Sequence, residues 1–244
     1  VIGPEVEPSR GVKLADMNGD GMLDALVTNR GTANGIYLNK GNLQFEKKRG
    51  FGTSDDATIS LAVADVNQDD YPDLVLANRN SQGNAVYIND SKLSFTKSSP
   101  FGEGNDQTRA VAIADMDGDG HLDIVTANIG EANGVYFGDS TGRFDAGLRF
   151  GRLEGKTYSV IVADLDKDGD PDIVTGNVGT QNAAYFNDGT GRIFVEVRFG
   201  GLEDNTYGVA VGDVNSDGFP DIGVANSDGL NGIHINRPIR DKRN

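Results

Sequence analysis

Apolar residues in this chain fall in short alternating or β-branched runs separated by glycine, asparagine and aspartate, and no segment carries the 3.6-residue apolar period of a helix. One stretch shows the pattern. From Val111, V-A-I-A runs into an acidic loop and L-D-I-V-T-A-N leaves it, which predicts two strands joined by that loop. A Gly/Asn-rich turn over 129–134 leads to a third strand, Val135 to Gly138. The tight turn D-S-T-G then leads to a fourth strand, Arg143 to Phe150, ending in Phe150-Gly151.

The same plan recurs five times. Its marker is an acidic nonapeptide: DMNGDGMLD (16–24), DVNQDDYPD (65–73), DMDGDGHLD (115–123), DLDKDGDPD (164–172) and DVNSDGFPD (213–221), with first aspartates 49, 50, 49 and 49 residues apart. Four antiparallel strands per repeat of about 50 residues is the blade of a β-propeller, and a lone blade of that size buries too little core to stand alone. The expected fold is all-β: a propeller of five four-stranded blades forming a single domain over 1–244. Ile2-Gly3 stands where other units have Phe-Gly, and the residues after Arg237 are too few for a full outer strand. The last blade is therefore expected to be completed by both termini; a segment of a longer array fits the same phase.

Other positions repeat as well. Tyr37, Tyr87, Tyr136 and Tyr185 share the third strand with His234 as the fifth member. Phe51, Phe101, Phe150 and Phe199 precede glycine, and Ser9, Thr58, Thr108, Thr157 and Thr206 stand seven residues before each first aspartate. Identity in every unit points to shared architecture.

Composition sharpens this picture. A formal charge of −15 argues against binding nucleic acid through its phosphates and against an anionic membrane surface. No apolar run approaches the roughly 20 residues of a membrane helix, so no membrane insertion is expected. With no cysteine and two histidines, thiolate and imidazole metal sites lack ligands.

The acidic loops themselves fit calcium, which takes six to eight hard oxygens from a loop with carboxylates at alternate positions and a sharp turn at position 6. Positions 1, 3, 5 and 9 are Asp or Asn throughout, with the position-7 carbonyl as a further ligand. The sets are Asp16, Asn18, Asp20, Met22 and Asp24; Asp65, Asn67, Asp69, Tyr71 and Asp73; Asp115, Asp117, Asp119, His121 and Asp123; Asp164, Asp166, Asp168, Asp170 and Asp172; and Asp213, Asn215, Asp217, Phe219 and Asp221. The His121 ring is expected to point outward. Up to five Ca2+ would reduce the net charge to about −5. Asp70 replaces the position-6 glycine of the second loop, which ranks that site weakest.

These residues resemble the FG-GAP or VCBS-like repeat, through the D-x-[DN]-x-D-G-x-x-D loop, the D-[IL]-V-x-[AG]-N strand and the Phe-Gly pair, over all five units. The resemblance implies calcium-loop propeller blades, with structural ions joining the inner strands on one face and ligands meeting the opposite face. It also implies a secreted or cell-surface setting and a lectin-like or cell-adhesion role.

Candidate ligand residues lie where the five copies differ on that opposite face: Arg10, Arg109, Tyr158 and Tyr207, each six residues before a first aspartate, and Arg30 and Arg79 after the second strand. Arginine and tyrosine suit carboxylates and sugar faces. Asn34, Asn84, Asn133, Asn182 and Asn231 are expected to form turns. No nucleophile elbow, cysteine or phosphate loop is present, so no catalytic residue is assigned. The sequence thus favours a calcium-stabilised extracellular module for a glycan or a surface protein. The alternatives are a polysaccharide lyase or dehydratase using Tyr158 or Tyr207 with Arg109, and a structural segment of a larger adhesin.

Overall fold

A computed structural model describes residues 6–95 and 97–237, and within these it is built of strands alone. The first sheet comprises β1 (Ser9–Ala15), β2 (Asp24–Asn29), β3 (Asn34–Asn39) and β4 (Phe45–Phe51). The second comprises β5 (Thr58–Ala64), β6 (Asp73–Asn78), β7 (Asn84–Ile88) and β8 (Lys97–Phe101). The third comprises β9 (Thr108–Ala114), β10 (Asp123–Asn128), β11 (Asn133–Gly138) and β12 (Phe144–Phe150). The fourth comprises β13 (Thr157–Ala163), β14 (Asp172–Asn177), β15 (Asn182–Asn187) and β16 (Phe194–Phe199). The fifth has three strands, β17 (Thr206–Gly212), β18 (Asp221–Asn226) and β19 (Gly232–His234). Every sheet is an antiparallel meander in chain order, as hairpin-length connections dictate.

The sheets pack face to face in series through their first strands: β1 on β5, β5 on β9, β9 on β13 and β13 on β17. Each interface joins the middle strands of one sheet to the first two strands of the next. Leu26, Ile36 and Leu38 meet Leu61 and Leu76, while Met116, Val125 and Phe137 meet Val160 and Ile173. The repeated Phe of one unit packs edge-on against the third-strand ring of the next. Centroid separations are 5.4 Å for Phe101–Tyr136, 5.0 Å for Phe150–Tyr185 and 4.9 Å for Phe199–His234. His234 therefore fills a tyrosine's packing place.

Closure of the ring is corrected. The fifth sheet lacks a fourth strand among the described residues, and Ile2-Gly3 and 238–244 lie outside them. Val12 and Leu14 on β1 are 58% and 59% exposed, whereas Leu61 and Val111, the counterparts of Val12, are 2% and 8% exposed, and Val63 and Ile113, the counterparts of Leu14, are partly buried. At the other end Val214 and Ile233 are each 59% exposed, against 1% or less for Met17, Met116, Leu165, Ile36 and Val135. Five units supply four such interfaces, so the described sheets form an open arc with one unpartnered apolar face at each end. Inside the arc, the first strands of all five sheets line an axial cavity of about 540 Å³, walled by residues such as Leu14, Val63, Ala112, Ile161 and Val209.

Candidate metal loops and ligand face

Each acidic nonapeptide joins the first two strands of its sheet, so all five loops lie at one end of the axial strands. Within the first loop, Asp16 accepts from the amides of Gly19, Asp20 and Gly21 at 2.8, 3.2 and 2.7 Å, and Asp20 accepts from Met22 at 2.9 Å. The same net recurs in the fifth loop around Asp213 and Asp217. These amides, that of Gly21 foremost, hold the Asp16 carboxyl below its usual pKa, and the Gly218 amide does the same for Asp213.

Such wrapping needs left-handed backbone at two places. Position 6 has φ of 82° at Gly21, 70° at Asp70 and 89° at Gly120, so Asp70 takes the glycine's conformation. Position 4 has φ of 61° at Gln68, 68° at Lys167 and 62° at Ser216, a strained setting that the sequence did not reveal because glycine holds it in only two of the five units.

The position-9 aspartates differ from the rest. Asp24, Asp73, Asp123, Asp172 and Asp221 are buried to 1% exposure or less. One oxygen of each accepts from the position-2 amide, as Met116 N–H to Asp123 Oδ2 at 2.7 Å, and the other from the end of the third strand, as Gly138 N–H to Asp123 Oδ1 at 2.8 Å. Burial pushes the carboxyls of Asp73, Asp123 and Asp172 up to about 6. This double anchoring was not foreseen from sequence. Its signal is the Asn or Gly repeated at positions 39, 89, 138, 187 and 236, whose backbone N–H makes the bond.

The donor set fits a hard divalent cation. Oxygens of Asp115, Asp117 and Asp119 lie within 4.8 Å of one another, as do those of Asp164, Asp166 and Asp172. An ion about 2.4 Å from each oxygen would span such a set. Asp117 Oδ1 is screened from solvent and has no hydrogen-bond partner, and burial, with Asp168 beside it, raises the pKa of Asp166. In loops one, two and five the position-3 residue is Asn18, Asn67 or Asn215, each donating to the position-5 aspartate at 3.0 Å. The position-7 residues Met22, Tyr71, His121, Asp170 and Phe219 all point their N–H at that same aspartate. The His121 ring departs from its expected outward pose: it is half-buried and its Nδ1 is screened without a partner.

The opposite end of the axial strands is built differently. In each first strand two residues pair with consecutive neighbours on the second while one between them stays unpaired: Thr108 and Ala110 face Asn128 and Ala127, leaving Arg109 as a β-bulge. The other four bulge residues are Arg10, Ile59, Tyr158 and Tyr207. These are the variable positions found in the sequence, and the bulge breaks the alternation that buries their neighbours. The Arg109 guanidinium lies 5.5 Å from the centre of the Tyr158 ring, and Tyr158 meets Tyr207 edge-to-face at 4.7 Å. Burial, then neighbouring Arg79, lowers the Arg109 pKa. Arg30 reaches Asn80, the residue after Arg79, at 3.2 Å, and Arg10 is exposed.

The asparagines of this end turn out to be structural. Asn29, Asn78 and Asn128 are buried at the ends of their strands. Asn34, Asn84 and Asn182, expected as simple turn formers, begin the third strand and reach into the next sheet, donating to Thr58, Thr108 and Thr206 at 3.1, 2.8 and 2.9 Å. This accounts for the threonines at 58, 108 and 206.

Repeated four-stranded meanders packed through their first strands around a common axis define a protein of the β-propeller class. The family model described as "FG-GAP-like repeat" matches residues 16–76, 65–126, 115–175 and 164–224, and the chain belongs to that family. A search of curated proteins found no sequence match. Among solved structures, the V. cholerae biofilm matrix protein Bap1 is similar at 18% identity and TM-score 0.58. That match covers 92% of this chain but 36% of Bap1, so the chain spans about a third of that relative. BBS1N, crystallised in complex with ARL6DN, is similar at 10% identity and TM-score 0.62, covering 98% of this chain and 72% of that one. At these identities the likeness shows the fold alone. No described helix is long and apolar enough to cross a membrane.

Proposed function

We propose that the chain is an adhesin-like binding module of the cell exterior, stabilised by up to five calcium ions and engaging a glycan or surface protein through its bulge-bearing face. The observation that carries this reading is the division of labour along each axial strand: the same acidic loop five times at one end, five bulge residues of differing chemistry at the other. Seven extended residues separate the two by about 20 Å, so the ions would brace the frame without touching the ligand. The loops are tied to the packing between sheets. Asn187 donates to the Met116 carbonyl at 2.8 Å and Asn236 to that of Leu165 at 2.7 Å, each across an inter-sheet contact. Ordering a loop with an ion therefore orders the neighbouring sheet.

Millimolar calcium outside cells would saturate even weak sites of this type. The resemblance to a biofilm matrix protein is consistent with that setting. Thermal melts test the metal half of the proposal: EDTA should lower the melting temperature sharply and added Ca2+ should restore it, while identical curves would overturn the structural role of calcium. A glycan array probed with and without calcium tests the ligand half; a surface-protein ligand predicts no glycan hit and retention on intact cells.

A further inference from the structure

We infer that the ligand taken at the bulge-bearing face is a carboxylated glycan, its acid group held by Arg79 and Arg109 and a sugar ring laid against Tyr158 and Tyr207. This deepens the proposal that the bulge-bearing face is the binding face, and rests on it.

Two guanidiniums stand near each other here in a protein of net charge −15, and neither has an ion-pair partner among the described residues. Arg149 and Arg198, by contrast, are paired, with Glu103 and Glu196. Carboxylates at this end are engaged elsewhere: Glu131 accepts from the backbone amide of Gln107 at 2.7 Å, Asp106 from that of Glu103 at 2.9 Å and Asp56 from that of Thr53 at 2.8 Å. Arg79 Nε is screened from solvent without a hydrogen-bond partner, a donor left for an acceptor from outside. Like charges brought together in a half-buried setting are costly unless an anion joins them, and a carboxylate accepts two parallel bonds from a guanidinium fork.

The aromatic part selects a sugar. Arg109 rests over the Tyr158 ring, which orients its fork, and Tyr207 remains 48% exposed beside it. An exposed ring with a phenolic edge suits a pyranose face and hydroxyl together. The surrounding acidic surface would repel a polyanion, so binding has to be concentrated at this cationic spot.

Calorimetry of the calcium-loaded chain decides it, with hexagalacturonate and neutral cellohexaose as probes. The acidic hexamer should bind about tenfold or more tightly than the neutral one, and Arg79→Gln with Arg109→Gln should remove at least about tenfold of that affinity without lowering the melting temperature. Arg198→Gln, on an outer strand, should leave binding as it was. Equal binding of both hexamers that falls on Tyr158→Ala would keep this face as the binding face and overturn the carboxylate. Hexagalacturonate binding that survives the double arginine change would overturn the site as well, and absence of binding to either hexamer would overturn the glycan assignment.

Discussion

Ile36 and Ile233 occupy the same place in the repeat, two residues after Asn34 and Asn231, yet Ile36 is fully buried and Ile233 is 59% exposed. Replacing each with alanine isolates what inter-sheet packing is worth. Ile36 lies in a cluster with Leu26, Leu61, Leu74 and Leu76. Its three lost carbons forfeit about 2.5 kcal/mol of transfer free energy, and the cavity raises the loss to about 3–4 kcal/mol. Ile233 has no facing sheet, so its truncation opens no cavity and costs about 1 kcal/mol or less. For a chain of this size the difference amounts to a fall of about 10 °C in melting temperature against one below about 4 °C. Urea denaturation in saturating calcium, at a protein concentration where the chain is monomeric, supplies the comparison, and an unchanged slope verifies that the same surface is exposed on unfolding. Equal losses at the two positions would refute the open arc, because they would require Ile233 to be packed as Ile36 is.

Three further tests address the loops and latches. The native carboxyls of Asp73, Asp123 and Asp172 titrate near 6, above the ordinary 3.8, so in EDTA the native state holds more protons than the unfolded chain between about pH 4 and 6. Stability without metal should therefore fall as pH rises through that window, calcium should reverse the trend by favouring the ionised form, and a metal-free midpoint that climbs with pH would contradict the burial of these groups. Gly102 and Gly120 both have left-handed backbone, with φ of 84° and 89°, but a Cβ on Gly102 would lie 2.0 Å from Asp106 Oδ2 while one on Gly120 meets nothing within 4 Å. Gly120→Ala should cost about 1 kcal/mol and Gly102→Ala about 3 or more, as read by calorimetric melting. Thr206, fully buried, donates to Asn226 at 2.6 Å and accepts from Asn182 at 2.9 Å. Thr206→Val should cost about 2–3 kcal/mol by stranding both amides, whereas Ser9→Ala at the exposed first strand should cost under about 1, and near-equal values would remove the inter-sheet latch.

The strands and their order were legible because each is short, alternating and bounded by glycine or asparagine, and because five copies average out local ambiguity. The third strand begins two residues before its apolar pattern predicts, at Asn133 instead of Val135. Asn133-Gly134 has turn composition, but Asn133 Oδ1 captures the Asn128 amide at 2.9 Å and so draws the pair into the sheet. The expected closure failed for a different reason. Phase in the repeat tells which strand comes next, whereas closure depends on how many faces meet, and the exposed Val12, Leu14, Val214 and Ile233 report that directly. Invariant residues were correctly assigned to architecture, but their bonds were not, since a bond from Asn182 to Thr206 crosses between units that a single repeat cannot display.

The candidate ligand residues show what repetition hides and what it exposes. A position that varies among five copies is ordinarily a tolerant surface site, and Arg10 fits that description. At Arg109, Tyr158 and Tyr207 the variation coincides with a bulge kept in every axial strand, an irregularity that costs ladder hydrogen bonds and persists in all five. On the proposed reading, keeping the bulge while changing its side chain separates frame from contact: Arg109, Tyr158 and Tyr207 lie together at one end of the axial strands, and their side chains decide the chemistry there. The acidic loops keep both frame and side chains. Substitution at the two ends should therefore separate cleanly, with Asp117→Asn altering metal dependence and melting but not ligand preference once calcium saturates the loops, and Arg109→Gln altering preference but not melting. A loss of glycan discrimination caused by Asp117→Asn in saturating calcium would place the ion in the binding site and overturn the separation.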